Sequence, residues 1–147
     1  MKKEFIDYLE SIGITSALQE RIETIHEAYA QICTDEIKDI FVTDYIKGDG
    51  EREYVNLWFF SDNNCMEAKN FISADDLDIT PLKGIFYVRL LKTDYDFKKA
   101  SEKSRLSVTC LFGETTDSIS GEFKASKENC DYLRNLIRKY LVSQLRI

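Results

Sequence analysis

The sequence holds one histidine, His26, one proline, Pro81, and only six glycines among its 147 residues. A single histidine excludes metal centres built from several imidazoles and makes any histidine chemistry depend on one side chain. The scarcity of proline and glycine excludes collagen-like and low-complexity chains, and no linker rich in either residue divides the sequence. Long apolar runs are also missing. Stretches such as Leu57-Trp58-Phe59-Phe60 and Ile85-Phe86-Tyr87-Val88 fall far short of the roughly 20 residues that a membrane-spanning helix needs. Near the N-terminus, Glu4, Asp7 and Glu10 interrupt any run that could act as an export signal. Cations are outnumbered, 20 Lys plus Arg against 26 Asp plus Glu for a net charge of −6. That sign argues against broad contact with nucleic acid or an anionic bilayer. The four cysteines, Cys33, Cys65, Cys110 and Cys130, form no CxxC pair. They therefore read as free thiols of a cytoplasmic protein, without a zinc knuckle. Cys110 and Cys130 fall on apolar faces, and Cys65, after Ser61-Asp62-Asn63-Asn64, is expected to be the most exposed.

What is present is patterned apolar sequence, 44% hydrophobic and 12% aromatic. Phe5, Tyr8, Leu9 and Ile12 recur at helical spacing and predict a short helix that Gly13 ends. Leu18, Ile22, Ile25, Tyr29 and Ile32 follow at alternating steps of four and three. They predict a helix over 17–33, entered through a Ser16/Gln19 capping box. From about residue 37 the period drops to two. Strands are predicted around Ile40–Tyr45, Tyr54–Phe60, Cys65–Phe71, Leu77–Ile79, Ile85–Lys92, Arg105–Phe112 and Ile119–Ala125, with turns such as Lys47-Gly48-Asp49-Gly50 and Gly113–Asp117 between them. Ser126 is the expected cap of a final helix whose inner side carries Cys130, Leu133, Ile137, Tyr140, Leu141 and Gln144. The absence of helices between the strands argues against a parallel βαβ sheet. The expected class is α+β, a small antiparallel β-barrel or two-sheet sandwich with two N-terminal helices and one capping C-terminal helix. Residues 1–34 would form a helical extension packed on a barrel of residues 35–147.

A run of about seven short strands closed by one amphipathic helix, with Ile119–Ala125 leading into Ser126–Leu145, resembles the pleckstrin-homology-like barrel over residues 36–145. The resemblance implies two sheets curled together with the last helix over one open end. Members that bind phosphoinositides carry basic residues around the first hairpin. Here that hairpin reads Lys47-Gly48-Asp49-Gly50-Glu51-Arg52, two cations balanced by two anions, which argues against a phosphoinositide site. Other members of the superfold bind peptides in the groove between the helix and a neighbouring strand.

No catalytic, metal or cofactor set emerges. Asp75-Asp76-Leu77-Asp78 lacks the glycine and closing glutamate of a calcium loop, and Gly48-x-Gly50 lacks the lysine and helix of a phosphate cradle. His26 reads as a boundary residue of its helix. Lys124, Lys127, Arg134, Arg138, Lys139 and Arg146 give the C-terminal region a basic face. The aromatic strand is more unusual: Tyr54, Trp58 and Phe60 share one face, Val55, Leu57 and Phe59 the other. One face should be covered by the N-terminal helices, and the Tyr54/Trp58/Phe60 face is the candidate ligand or partner surface. The expected function is a noncatalytic protein-interaction or scaffolding module for a partner the sequence does not identify. A lipid- or small-ligand-binding module and a small enzyme on a two-helix plus curved-sheet scaffold are the alternatives.

Overall fold

The computed structural model describes residues 1–114 and 116–145; Thr115, expected in the turn after Gly113, lies outside them. Helices α1 (Lys3–Ser11) and α2 (Ser16–Ile32) precede strands β1 (Asp39–Ile46), β2 (Arg52–Phe60), β3 (Asn64–Ala68), β4 (Leu77–Pro81), β5 (Ile85–Thr93), β6 (Arg105–Glu114) and β7 (Asp117–Ser126), and helix α3 begins at Asn129–Leu136. The strands form two antiparallel sheets, ordered β1-β2-β3-β4 and β5-β6-β7. This is an α+β arrangement of separate sheets rather than one hydrogen-bonded barrel. Strand β4 ends at Pro81, which has no amide hydrogen to donate, and the 3-10 turn Leu82–Gly84 stands between β4 and β5. No helix of the described residues is long and apolar enough to cross a membrane.

Two compact units divide the chain, Met1–Val42 with Val55–Ile79 and Thr43–Tyr54 with Thr80–Ile147. In the first, α1 stops where Gly13 takes φ 86°, a backbone state that side chains disfavour. The cap of α2 sits one residue earlier than its sequence suggests. The Thr15 hydroxyl accepts from the Leu18 amide at 3.3 Å, while Gln19 Nε2 donates to the Ile14 carbonyl at 3.2 Å. Phe5, Leu9, Ile22, Ile25 and Tyr29 fill the core of this unit with Phe41 and Phe59. The Val42 amide donates to the Tyr8 hydroxyl at 2.9 Å.

The second unit is dominated by long ladders, from Tyr87↔Leu111 to Thr93↔Arg105 between β5 and β6 and from Arg105↔Ser126 to Glu114↔Asp117 between β6 and β7. Residues opposite one another share a sheet face. Phe123, Val108 and Leu90 therefore make one row and Ala125, Leu106 and Lys92 the next. Helix α3 packs against β7 and β6. Its expected cap, Ser126, bonds to Asp44 instead, and Glu128 at the N-cap makes no side-chain cap bond. The helix runs on through a wide π turn, Ile137–Leu141, and a 3-10 turn, Val142–Gln144. The wide turn lets the consecutive Tyr140 and Leu141 both be buried, as a regular helical stripe alone would not require.

Candidate functional site

Two of the three aromatics expected to meet a partner, Trp58 and Phe60, are placed in the interior. Trp58 and Phe60 are 3% and 0% exposed, and their rings stack with centroids 6.4 Å apart. Rings so enclosed supply packing, not a free contact surface, and the expectation is corrected accordingly. The helical cover lies on the other face of β2. Tyr29 of α2 stacks on Phe59 at 5.7 Å, and His26 meets the same ring edge-on at 5.6 Å. Strand alternation puts Phe59 on the face opposite Trp58 and Phe60. Tyr54 belongs to the other unit, half-buried, where burial pushes its phenol up against the pull of neighbouring Arg52.

The most buried charges of the second unit gather around Asp44. One carboxylate oxygen accepts from the Ser126 amide at 3.1 Å and Asn129 Nδ2 at 2.8 Å. The other accepts from Arg52 Nε at 2.9 Å and from the Ser126 hydroxyl. Arg52 also donates to Glu128 at 2.6 Å and to the Ser126 carbonyl at 2.7 Å. Burial pulls the guanidinium down, but the Glu128 bond and the charges of Asp44 and Glu128 outweigh it and hold Arg52 above its ordinary value. An ionised carboxylate offers about four acceptor positions, and four donors occupy those of Asp44. With its acceptor positions filled, Asp44 ties β1, β2 and the start of α3 together as a structural clamp. It also engages a cation of the first hairpin. Arg52 serves the clamp, and Lys47 lies 3.8 Å from Asp49.

Strand β5 is different. It is an edge of its sheet, yet Tyr87, Leu90 and Leu91 are 46%, 42% and 55% exposed. A bulge at its start separates Ile85 from the regular register that begins at Tyr87. From there the ladder with β6 is regular, and every second residue of such a strand turns both its N–H and C=O toward the free side. Because α3 packs over β6 and β7, the row from Phe123 through Val108 is buried, whereas Leu90 is not. The space beside it is a groove of about 320 Å³ lined by Leu90, Phe97, Arg134, Ile137 and Arg138.

The far end of this groove is held by the loop after β5. Tyr95 donates to Asp131 at 2.7 Å, and the Ala100 amide donates to the same carboxylate at 3.1 Å. Burial and the Asp131 hydrogen bond raise the Tyr95 phenol. Arg134 donates to the carbonyls of Phe97 and Lys98 at 3.1 and 2.6 Å and pairs with Asp131 at 3.3 Å. Phe97 itself has φ 62°, an uncommon state for a bulky residue and one that persists only where surrounding contacts impose it. Its ring packs at 5.2 Å from Tyr95, with Lys92 Nζ 5.9 Å above it. The groove thus joins an apolar floor, a free strand edge and cations, with no nucleophile or general base among its lining residues.

Of these residues the sequence singled out only Arg134 and Arg138, as members of a basic face, and Ile137, as part of the helical stripe. The signal missed was the adjacent pair Leu90-Leu91. In a strand, neighbours point to opposite faces, so apolar residues on both faces need two covers or leave one open. The remaining candidates are structural. Asp75 and Asp78 pair with Arg21 and Lys69, and no group of residues suited to a metal occurs among the described residues. Lys127 pairs with Glu102 at 3.4 Å, and Arg146 of the basic face lies outside the described residues. Cys65, expected to be exposed, is buried, and Cys33 is half-exposed. Burial pushes the thiols of Cys110 and Cys130 up to about 12.

No family model, no curated protein and no solved structure matches this chain.

Proposed function

We propose that this chain is a noncatalytic protein-interaction module of the cytoplasm that takes up an extended peptide along β5, beside α3. The observation that carries the reading is the union of a regular, exposed edge strand with the groove lined by Leu90, Phe97, Arg134, Ile137 and Arg138. A strand added to such an edge gains main-chain hydrogen bonds, and the pockets beside it take alternate side chains. A groove already held open by the Tyr95–Asp131 and Arg134–Phe97 bonds lowers the ordering cost of binding.

The pleckstrin-homology-like resemblance supports the same reading. Four strands in one sheet, three in the next and a closing helix follow that order over residues 36–145, and peptide-binding members of that superfold use the helix–strand groove. Four free thiols agree with a reducing compartment.

The test is selection of random 12-residue peptides against the whole chain, followed by fluorescence anisotropy with the wild type and Leu90→Ser. Leu90 is 42% exposed, so its removal spares the core. Fully burying a leucine is worth about 1.5–3 kcal/mol, and the exposed share predicts a loss of about 1 kcal/mol, roughly fivefold in affinity. Selected peptides that bind Leu90→Ser as tightly as wild type overturn the reading.

A further inference from the structure

Building on the β5 groove as the binding site, we infer that its occupant is an acidic extended segment of another protein, in which apolar residues alternate with aspartate or glutamate. Both walls are basic and carry no carboxylate. Strand β5 reads Ile-Phe-Tyr-Val-Arg-Leu-Leu-Lys-Thr, and the helical wall from Ile137 reads Ile-Arg-Lys-Tyr-Leu-Val-Ser-Gln, in a chain whose net charge is −6. Arg89, Lys92 and Arg138 are exposed, and Arg138 makes no ion pair among the described residues. Two of the nearby carboxylates are committed to the loop, while Asp94, directly after β5, is exposed. Asp131 holds Tyr95, Ala100 and Arg134, and Asp96 accepts from the Lys98 and Lys99 amides at 2.8 and 3.2 Å.

The same charges argue against a second copy of the chain. Full antiparallel pairing of β5 with itself is centred on Arg89 and sets like charges opposite one another, which destabilises a strand pair. An edge lysine, here Lys92, is a known obstacle to such pairing. An anionic bilayer would find the cations but has no backbone to offer the strand edge, and it meets a chain of net negative charge.

Composition of the selected peptides tests this directly. Binders weakened by Leu90→Ser should be enriched in Asp and Glu and depleted in Lys and Arg. Replacing each of their carboxylates by the amide should cost about twofold to fivefold in affinity per exposed pair. Arg138→Glu should weaken acidic binders and favour Lys-substituted versions of the same peptides. Leu90-dependent binders with no acidic bias, or with affinities unmoved by Glu→Gln and by Arg138→Glu, overturn the inference and leave the groove reading intact. Absence of any Leu90-dependent binder overturns the groove reading and the inference with it. Concentration-dependent dimerisation abolished by Leu90→Ser, or sedimentation with phosphatidylserine vesicles abolished by Arg138→Glu, would assign the surface to a second copy or to a membrane, and either result refutes an acidic peptide as occupant.

Discussion

Replacing Asp44 by alanine removes the acceptor on which the buried clamp of the second unit depends. Four donors lose this acceptor: the Ser126 amide and hydroxyl, Asn129 Nδ2 and Arg52 Nε. Ser126 and Asn129 are fully buried, so water cannot replace the lost acceptor, and each orphaned buried donor costs about 1–3 kcal/mol. Arg52 keeps Glu128 and the Ser126 carbonyl, which holds the total near the 3–5 kcal/mol typical of breaking a buried pair. In urea, with a slope of about 1–3 kcal/mol per molar, that corresponds to a midpoint lowered by roughly 2 M. Arg52→Met should cost a similar amount, about 3–5 kcal/mol, because it leaves the fully buried Asp44 carboxylate without its counter-charge. The two changes combined should cost well under the sum of the separate losses. Far-ultraviolet circular dichroism across a urea series reads all three variants. A loss below 1 kcal/mol for Asp44→Ala, or simple additivity with Arg52→Met, would refute the clamp.

Three further outcomes follow from the first unit and the cysteines. Burial holds the His26 imidazole below its ordinary value, with the N-terminal ammonium adding to the effect. The folded chain therefore binds fewer protons there than the unfolded one. Its stability is full above about pH 6.5 and falls as the pH drops through that value. The urea midpoint should accordingly fall less between pH 7.5 and 5.5 for His26→Gln than for wild type; parallel curves contradict the assignment. Iodoacetamide at pH 8 should label Cys33 alone in the native chain and all four thiols in urea, since a thiol at about 12 is thiolate in only about one molecule in ten thousand; peptide mass mapping checks it. Thr15→Ala should lower stability by about 1 kcal/mol through loss of the α2 cap, whereas Ser16→Ala should leave it nearly unchanged.

The order of elements was legible because period and turn chemistry are local: the stripe from Leu18 to Tyr29 and the alternation from Leu106 to Phe112 each belong to one segment. The caps were less so. Thr15 and Ser16 are both competent hydroxyls, and the approach of Asp44, which draws Ser126 from the helix start, is a contact across 82 positions. The burial of Trp58 and Phe60 was not legible for a related reason. Aromatic content marked β2 as exceptional, but whether an aromatic face is covered depends on elements distant in sequence. The exposed face of β5 is made of ordinary leucines, and only the position of α3 over β6 and β7 leaves Leu90 without a neighbour to bury it.

The central claim is that β5 takes up a further strand, and amide hydrogen exchange tests it most directly. Exchange is measured residue by residue on the whole chain, with and without a saturating Leu90-dependent peptide from the selection. The account predicts that, from Tyr87 to Thr93, alternate amides of β5, those turned away from β6, become protected, while those already bonded to β6 change little. Protection that leaves β5 untouched and falls on another part of the chain would contradict it.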